Sequence, residues 1–143
     1  MTWYAEGIQR TDDGYFIQPN AVVPSLHSQR NCVLHVGRNA VIQGNINHEG
    51  SVTLGAGAQI WGLLRGGHEV ILAPGAQAKN VEAFGRVTVQ HGATCGDIQA
   101  GGDVLLLGNC TVGKVSAGGD IVIVGAPSTQ GLQPGGRIQT RPF

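Results

Sequence analysis

Residues 101–124 read GGDVLLLGNCTVGKVSAGGDIVIV, and this stretch opens the same way twice. Gly-Gly-Asp followed by four aliphatic residues begins at Gly101 and again at Gly118. Working outward, Gly50, Gly67, Gly85, Gly102, Gly119 and Gly136 recur at one near-constant spacing, with a single longer step between Gly67 and Gly85. A fixed period over most of a chain is the mark of a solenoid, in which each unit stacks on the next and shares a continuous core.

Counting each coil from its glycine, position 3 holds Val52, Val70, Val87, Val104, Ile121 and Ile138, with one extra residue near the start of the coil from Gly67. Position 5 holds Leu54, Leu72, Val89, Leu106 and Ile123. Position 9 is small (Ala58, Ala76, Ala93, Cys110, Pro127), and position 11 holds Ile60, Ala78, Cys95, Val112 and Thr129. Position 14 takes Leu63, Val81, Ile98, Val115 and Leu132. Position 16 takes Ala83, Ala100, Ala117 and Pro134 after an odd Arg65. An earlier coil fits from Cys32 with Leu34, Val36, Ala40, Ile42 and Ile46.

Apolar residues two apart lie on one face of a strand. Three such pairs per coil predict three short strands per turn, and hence an all-β triangular parallel β-helix of about six coils. The Val, Ile and Gly content argues against helix. Corner glycines such as Gly101-Gly102 and Gly118-Gly119 suit positive φ or a tight bend. The glycine-led period does not keep the regular hexad of aliphatics seen in left-handed hexapeptide helices, which favours the right-handed form.

The division expected is an N-terminal tail or cap over residues 1–30 and a β-helix domain over residues 31–143. The first segment lies outside the repeat and carries Trp3, Tyr4, Tyr15 and Phe16. Asp12-Asp13-Gly14 reads as a turn. Its expected role is to fold back over the first coil or over one sheet face, since solenoid ends expose backbone groups and core.

Composition narrows the function. Nine basic and nine acidic residues cancel, so no global field attracts nucleic acid or anionic lipid. No apolar run has membrane-spanning length and no signal-peptide pattern is present, so cytoplasmic residence is expected.

Candidate chemistry is sparse. Cys32, Cys95 and Cys110 form no C-x-x-C pair, and the last two sit in inward columns as small apolar fillers. Some trimeric β-helix enzymes hold zinc on histidines, but His35, His48, His68 and His91 fall at positions 4, 16, 2 and 7. They make no stacked column and no H-x-H spacing, so they read as solvated surface residues with no metal. Asp103 and Asp120 share one corner position, where aspartate commonly bonds turn backbone rather than acting as an acid–base pair. Gly55-Ala56-Gly57 precedes no helix and is not a phosphate loop. No catalytic residue and no cofactor is expected.

Outward positions 4 and 6 break the pattern. They should be polar on a solvated sheet, yet they are Leu105 and Leu107, then Val122 and Val124, with Ile71 earlier. Such a stripe requires a cover, either the aromatic tail or another molecule. The open ends make a second candidate surface, with Leu34, Val36, Ile42 and Ile46 at one end. Ile121, Ile123, Leu132, Ile138 and Phe143 lie at the other, where the final coil is incomplete.

The units GGDVLLLGNCTVGKVSAG, GGDIVIVGAPSTQG and NAVIQGNINHEGSVTLGAGAQIWG resemble bactofilins, polymer-forming cytoskeletal proteins built on a right-handed triangular β-helix. The resemblance covers residues 31–143 and rests on period, corner glycines and layered aliphatics. It implies a non-enzymatic scaffold that polymerises with itself end to end without nucleotide. It further implies partners among membrane-associated or cell-envelope proteins, and a place in the cytoplasm or peripherally at the inner face of the membrane. A binding module docking a different protein through the apolar face is the alternative. A β-helix enzyme is a third reading, disfavoured by the scattered histidines and acids.

Overall fold

The computed structural model describes residues 2–5, 8–11, 14–28 and 32–141, with side chains described at 8, 14–26 and 32–141. It is all-β, a parallel β-solenoid of about 7 turns. Each turn contributes to three faces. The first face stacks Gly14–Ile17, Val33–Val36, Val52–Leu54, Val70–Leu72, Val87–Val89, Val104–Leu107, Ile121–Val124 and Ile138–Arg141 in parallel. The long strands Gln59–Gly66 and Gln77–Ala83 bend round a corner and serve both other faces.

Position 3 and position 5 side chains form continuous inward columns. Val52, Leu54, Val70, Leu72, Val87, Val89, Val104, Leu106 and Ile121 are all fully enclosed. Each buried aliphatic side chain contributes on the order of 1.5–3 kcal/mol before ordering costs. The third face supplies Ile46, Leu64, Val81, Ile98 and Val115 to the same core.

The first corner carries one residue in the left-handed region per turn: Asn20, Asn39, Gly57, Gly75, Gly92, Gly108 and Gly125. Only glycine, or asparagine with its small polar side chain, takes that conformation cheaply. The corner glycines singled out from sequence have a different reason. At Gly101 and Gly118 a Cβ would be driven into the carbonyl oxygen of Phe84 and of Gly101 respectively, so glycine there permits close stacking of backbones. Corner side chains then tie one turn to the next. The Asp120 N–H donates to Asp103 Oδ1 and the Arg137 N–H to Asp120 Oδ1, both at 2.8 Å. Asn80 and Asp97 accept from the Asp97 and Lys114 N–H groups at 3.0 and 2.9 Å.

Two sequence expectations are corrected. The extra residue lies at Trp61–Gly62, where the register between Gln59–Gly66 and Gln77–Ala83 shifts, and not at the start of the coil from Gly67. It moves the inward position from Leu63 to Leu64, which pairs with Val81 and is fully buried. Solenoid pairing also starts at Gly14 instead of residue 31. Gly14–Ile17, Val22–Val23 and Leu26–Ser28 pair in parallel with the next turn. The partners are Gly14 with Val33, Val22 with Val41 and Leu26 with Ile46, each a longer step than the glycine period. Ahead of them, Ile8–Thr11 pairs antiparallel with Gly14–Ile17 and Thr2–Ala5 antiparallel with Ile8–Thr11, extending the first face.

Candidate assembly surfaces and a surface groove

The C-terminal end of the rod is progressively uncovered. Along one inward column, Ile121 is 0 % exposed and Ile138 is 47 % exposed. Ile123 and Leu132 are only partly buried against the core. The strand Ile138–Arg141 pairs with Ile121–Val124 along one edge, and no described residue pairs with its other edge. Phe143, expected at this end, lies outside the described residues.

The other end differs from expectation. Leu34, Val36, Ile42 and Ile46 are buried beneath the additional turn, so they are not end residues. The outermost described core residues there are Ile17, Val23 and Ile8, all enclosed. Ile8 sits on the antiparallel strand that closes the first face.

The apolar stripe is where the alternation placed it. Leu105 pairs with Val122 and Leu107 with Val124 on the first face, and all four are half-buried. Ile71 stands in the Leu105 column, separated from it by Thr88. The N-terminal strands do not lie across this stripe. They join the opposite end of the same sheet, because their edge pairs with Gly14–Ile17. No described segment of the chain covers Leu105, Leu107, Val122 and Val124.

His48 corrects a further expectation. His35, His68 and His91 are exposed, but His48 points inward and is 1 % exposed. Its Nε2 lies 2.5 Å from the Cys32 carbonyl oxygen, which can only accept, so Nε2 carries the proton. Nδ1 is buried and has no hydrogen-bond partner among the described residues. The imidazole meets the inward-facing Tyr15 ring edge-on, at 6.2 Å between centroids. Its neighbour in the column, Gly66, has no side chain, and a Cβ there would meet Val70 and Val52. Burial pushes the His48 pKa below its ordinary value, against smaller opposing effects of the Cys32 carbonyl and Glu49.

Cys95 and Cys110 are buried free thiols. Burial, helped by the proximity of Cys110 and Asp97, pushes Cys95 up to about 12, and burial also raises Cys110. Neither is poised as a nucleophile. Among the described residues no group of three or more His, Cys, Asp or Glu could hold a metal ion. No helix there is long and apolar enough to cross a membrane.

A groove of about 420 Å³ runs along the corner between the third and first faces. On one side stands the outward ladder Arg65, Glu82, Gln99 and Ser116, in register from rung to rung. Along the other lies the corner column Phe84, Gly101 and Gly118. Phe84 is 65 % exposed. The Arg65 guanidinium lies 5.4 Å from its ring centroid, and Arg65 Nε is 4.0 Å from Glu82 Oε2. The one sequence signal for this groove is an aromatic residue in a column that is otherwise glycine from Gly67 to Gly135, visible once the turns are aligned.

No family model matches the chain. Comparison with curated proteins and with solved structures likewise finds no significant match.

Proposed function

We propose that this protein is a non-enzymatic structural protein that assembles with itself end to end into filaments without nucleotide, as a bactofilin-like scaffold in the cytoplasm. The observation that carries the reading is the uncovered C-terminal turn. Among the described residues, the outer edge of Ile138–Arg141 pairs with nothing and exposure rises from Ile121 to Ile138, so this turn presents backbone donors and acceptors together with apolar side chains. A second copy docking there satisfies both at once, and the contact is mainly apolar. Neighbouring membrane-associated or cell-envelope proteins are the partners such a scaffold would organise.

Negative-stain electron microscopy and light scattering across a concentration series test this reading. Filaments should grow with concentration, be indifferent to ATP or GTP and respond weakly to salt. Ile138→Arg should leave a folded monomer or dimer. A chain that stays monomeric at high concentration, or an Ile138→Arg variant that still forms long filaments, would defeat end-to-end assembly.

The half-buried stripe supports a second reading, a module whose first face docks a different protein. Here Leu107→Lys removes the association and leaves the ends untouched.

A further inference from the structure

We propose that the groove beside Phe84 is a binding site for a neutral, linear oligosaccharide, independent of assembly at the ends. The first argument is the ring. Gly101 and Gly118 are required by close backbone stacking, since a Cβ at either would enter the carbonyl of the preceding turn. Phe84 breaks that column and leaves most of its ring in solvent. Arg65 belongs to the rung before Phe84, and Gly101 and Gly118 to the two rungs after it. The guanidinium therefore contacts the ring from one direction, and the floor of the groove extends in the other. Because the two glycines carry no side chains, the ring stands as a wall above a low floor.

The second argument is the ladder facing that wall. Glu82, Gln99 and Ser116 place a carboxylate, an amide and a hydroxyl on successive rungs, about 4.8 Å apart. Between them they offer donors and acceptors side by side, with an apolar surface opposite. A pyranose matches both: its axial C–H bonds form an apolar, weakly positive face for the electron-rich ring, and its hydroxyls both donate and accept. Two rungs accommodate one or two sugar units.

Other ligand classes fit less well. Arg65 and Glu82 cancel in charge, so the groove does not select a polyanion. An extended peptide binds a sheet through free backbone groups at an edge. The third-face strands at the groove are paired on both sides, by Gln59–Gly66, Gln77–Ala83, Ile98–Ala100, Lys114–Ala117 and Gly131–Pro134 in turn. Specificity would come from the few polar groups placed beside the apolar wall.

The test is saturation-transfer difference NMR of the full chain with cellotriose, chitotriose and maltotriose, a readout that works for monomer and polymer alike. At least one sugar should receive saturation, strongest on the C–H protons of one pyranose face. Phe84→Gly, which restores the glycine column, should weaken binding at least roughly tenfold, about 1.4 kcal/mol. Should that variant misfold by circular dichroism, Gln99→Ala must produce the loss instead, and Leu107→Lys must not. Saturation of none of the three sugars, saturation that survives these groove substitutions, or binding only of a sulfated trisaccharide would each overturn the proposal.

Discussion

The two ends of the rod finish the same first face in opposite ways. At the N-terminal end the chain reverses direction twice, Ile8–Thr11 pairing antiparallel with Gly14–Ile17 and Thr2–Ala5 antiparallel with Ile8–Thr11. At the C-terminal end the last described strand, Ile138–Arg141, is parallel to Ile121–Val124 beside it. A parallel edge continues the stacking rule of the solenoid, so a further turn could be laid on it unchanged. The antiparallel strand Ile8–Thr11 interrupts that rule on this face. Burial follows the same division, with Ile8 and Ile17 enclosed and Ile138 half open. The two ends therefore offer different surfaces to a docking copy.

The largest expected effect lies between the ends and serves as the reference for both. Leu106→Asp places an unpaired charge in a dry column, costing several kcal/mol or more, and should abolish soluble folding as judged by expression and circular dichroism. Removing residues 1–11 strips the antiparallel strands. With the burial of Ile8 lost, stability should fall by about 1.5–3 kcal/mol, and light scattering should show new association through the uncovered end. If the truncated chain melts and associates as the parent does, the two ends are not different in kind.

A smaller, pH-dependent effect belongs to the N-terminal turns alone. The folded pKa of His48 lies below its unfolded value of 6.5, so the unfolded chain binds more protons once the pH falls through that value. The contribution of neutral His48 is complete above about pH 6.5 and is lost progressively on acidification towards the folded pKa. Denaturant midpoints between pH 8 and 5 should decline more steeply in the parent than in His48→Leu. Equal slopes would show that His48 does not carry the dependence. The smallest effect on stability is expected for Ile138→Arg, within about 0.5 kcal/mol for an exposed site, although association should be lost.

The middle of the rod was legible in sequence because its glycines and aliphatics recur at one spacing, from Gly85 through Gly102 and Gly119 to Gly136. The inward columns at positions 3 and 5 follow from that spacing alone. The first turn was not legible for a physical reason. Its pairings, Gly14 with Val33 and Leu26 with Ile46, span longer steps than the period, and Tyr15 stands where Leu34, Val52 and Val70 stand in later turns. Leu64 was missed because a single inserted residue at Trp61–Gly62 alters which of two adjacent leucines faces inward. His48 occupies an inward column number, but the ring it packs against is Tyr15 of the preceding turn. That is a relation between turns, and no single turn reveals it. The groove is a relation of the same kind, created by one aromatic among stacked glycines.

The left-handed corner residues Asn20, Asn39, Gly57, Gly75, Gly92, Gly108 and Gly125 are unevenly spaced in sequence, the widest step being the first and the narrowest that from Gly92 to Gly108. Every turn nevertheless supplies one. The narrow step is a one-residue shift of the left-handed residue within a turn of ordinary length, since Gly108 lies against His91 and not Gly92 while Val87 still pairs with Val104. A chain built this way behaves as a ruler graduated in whole turns. Copying the segment from Val87 to Asp103 once more in tandem should lengthen the rod by about 4.8 Å without disturbing either terminus, which makes length a property that duplication alone can tune.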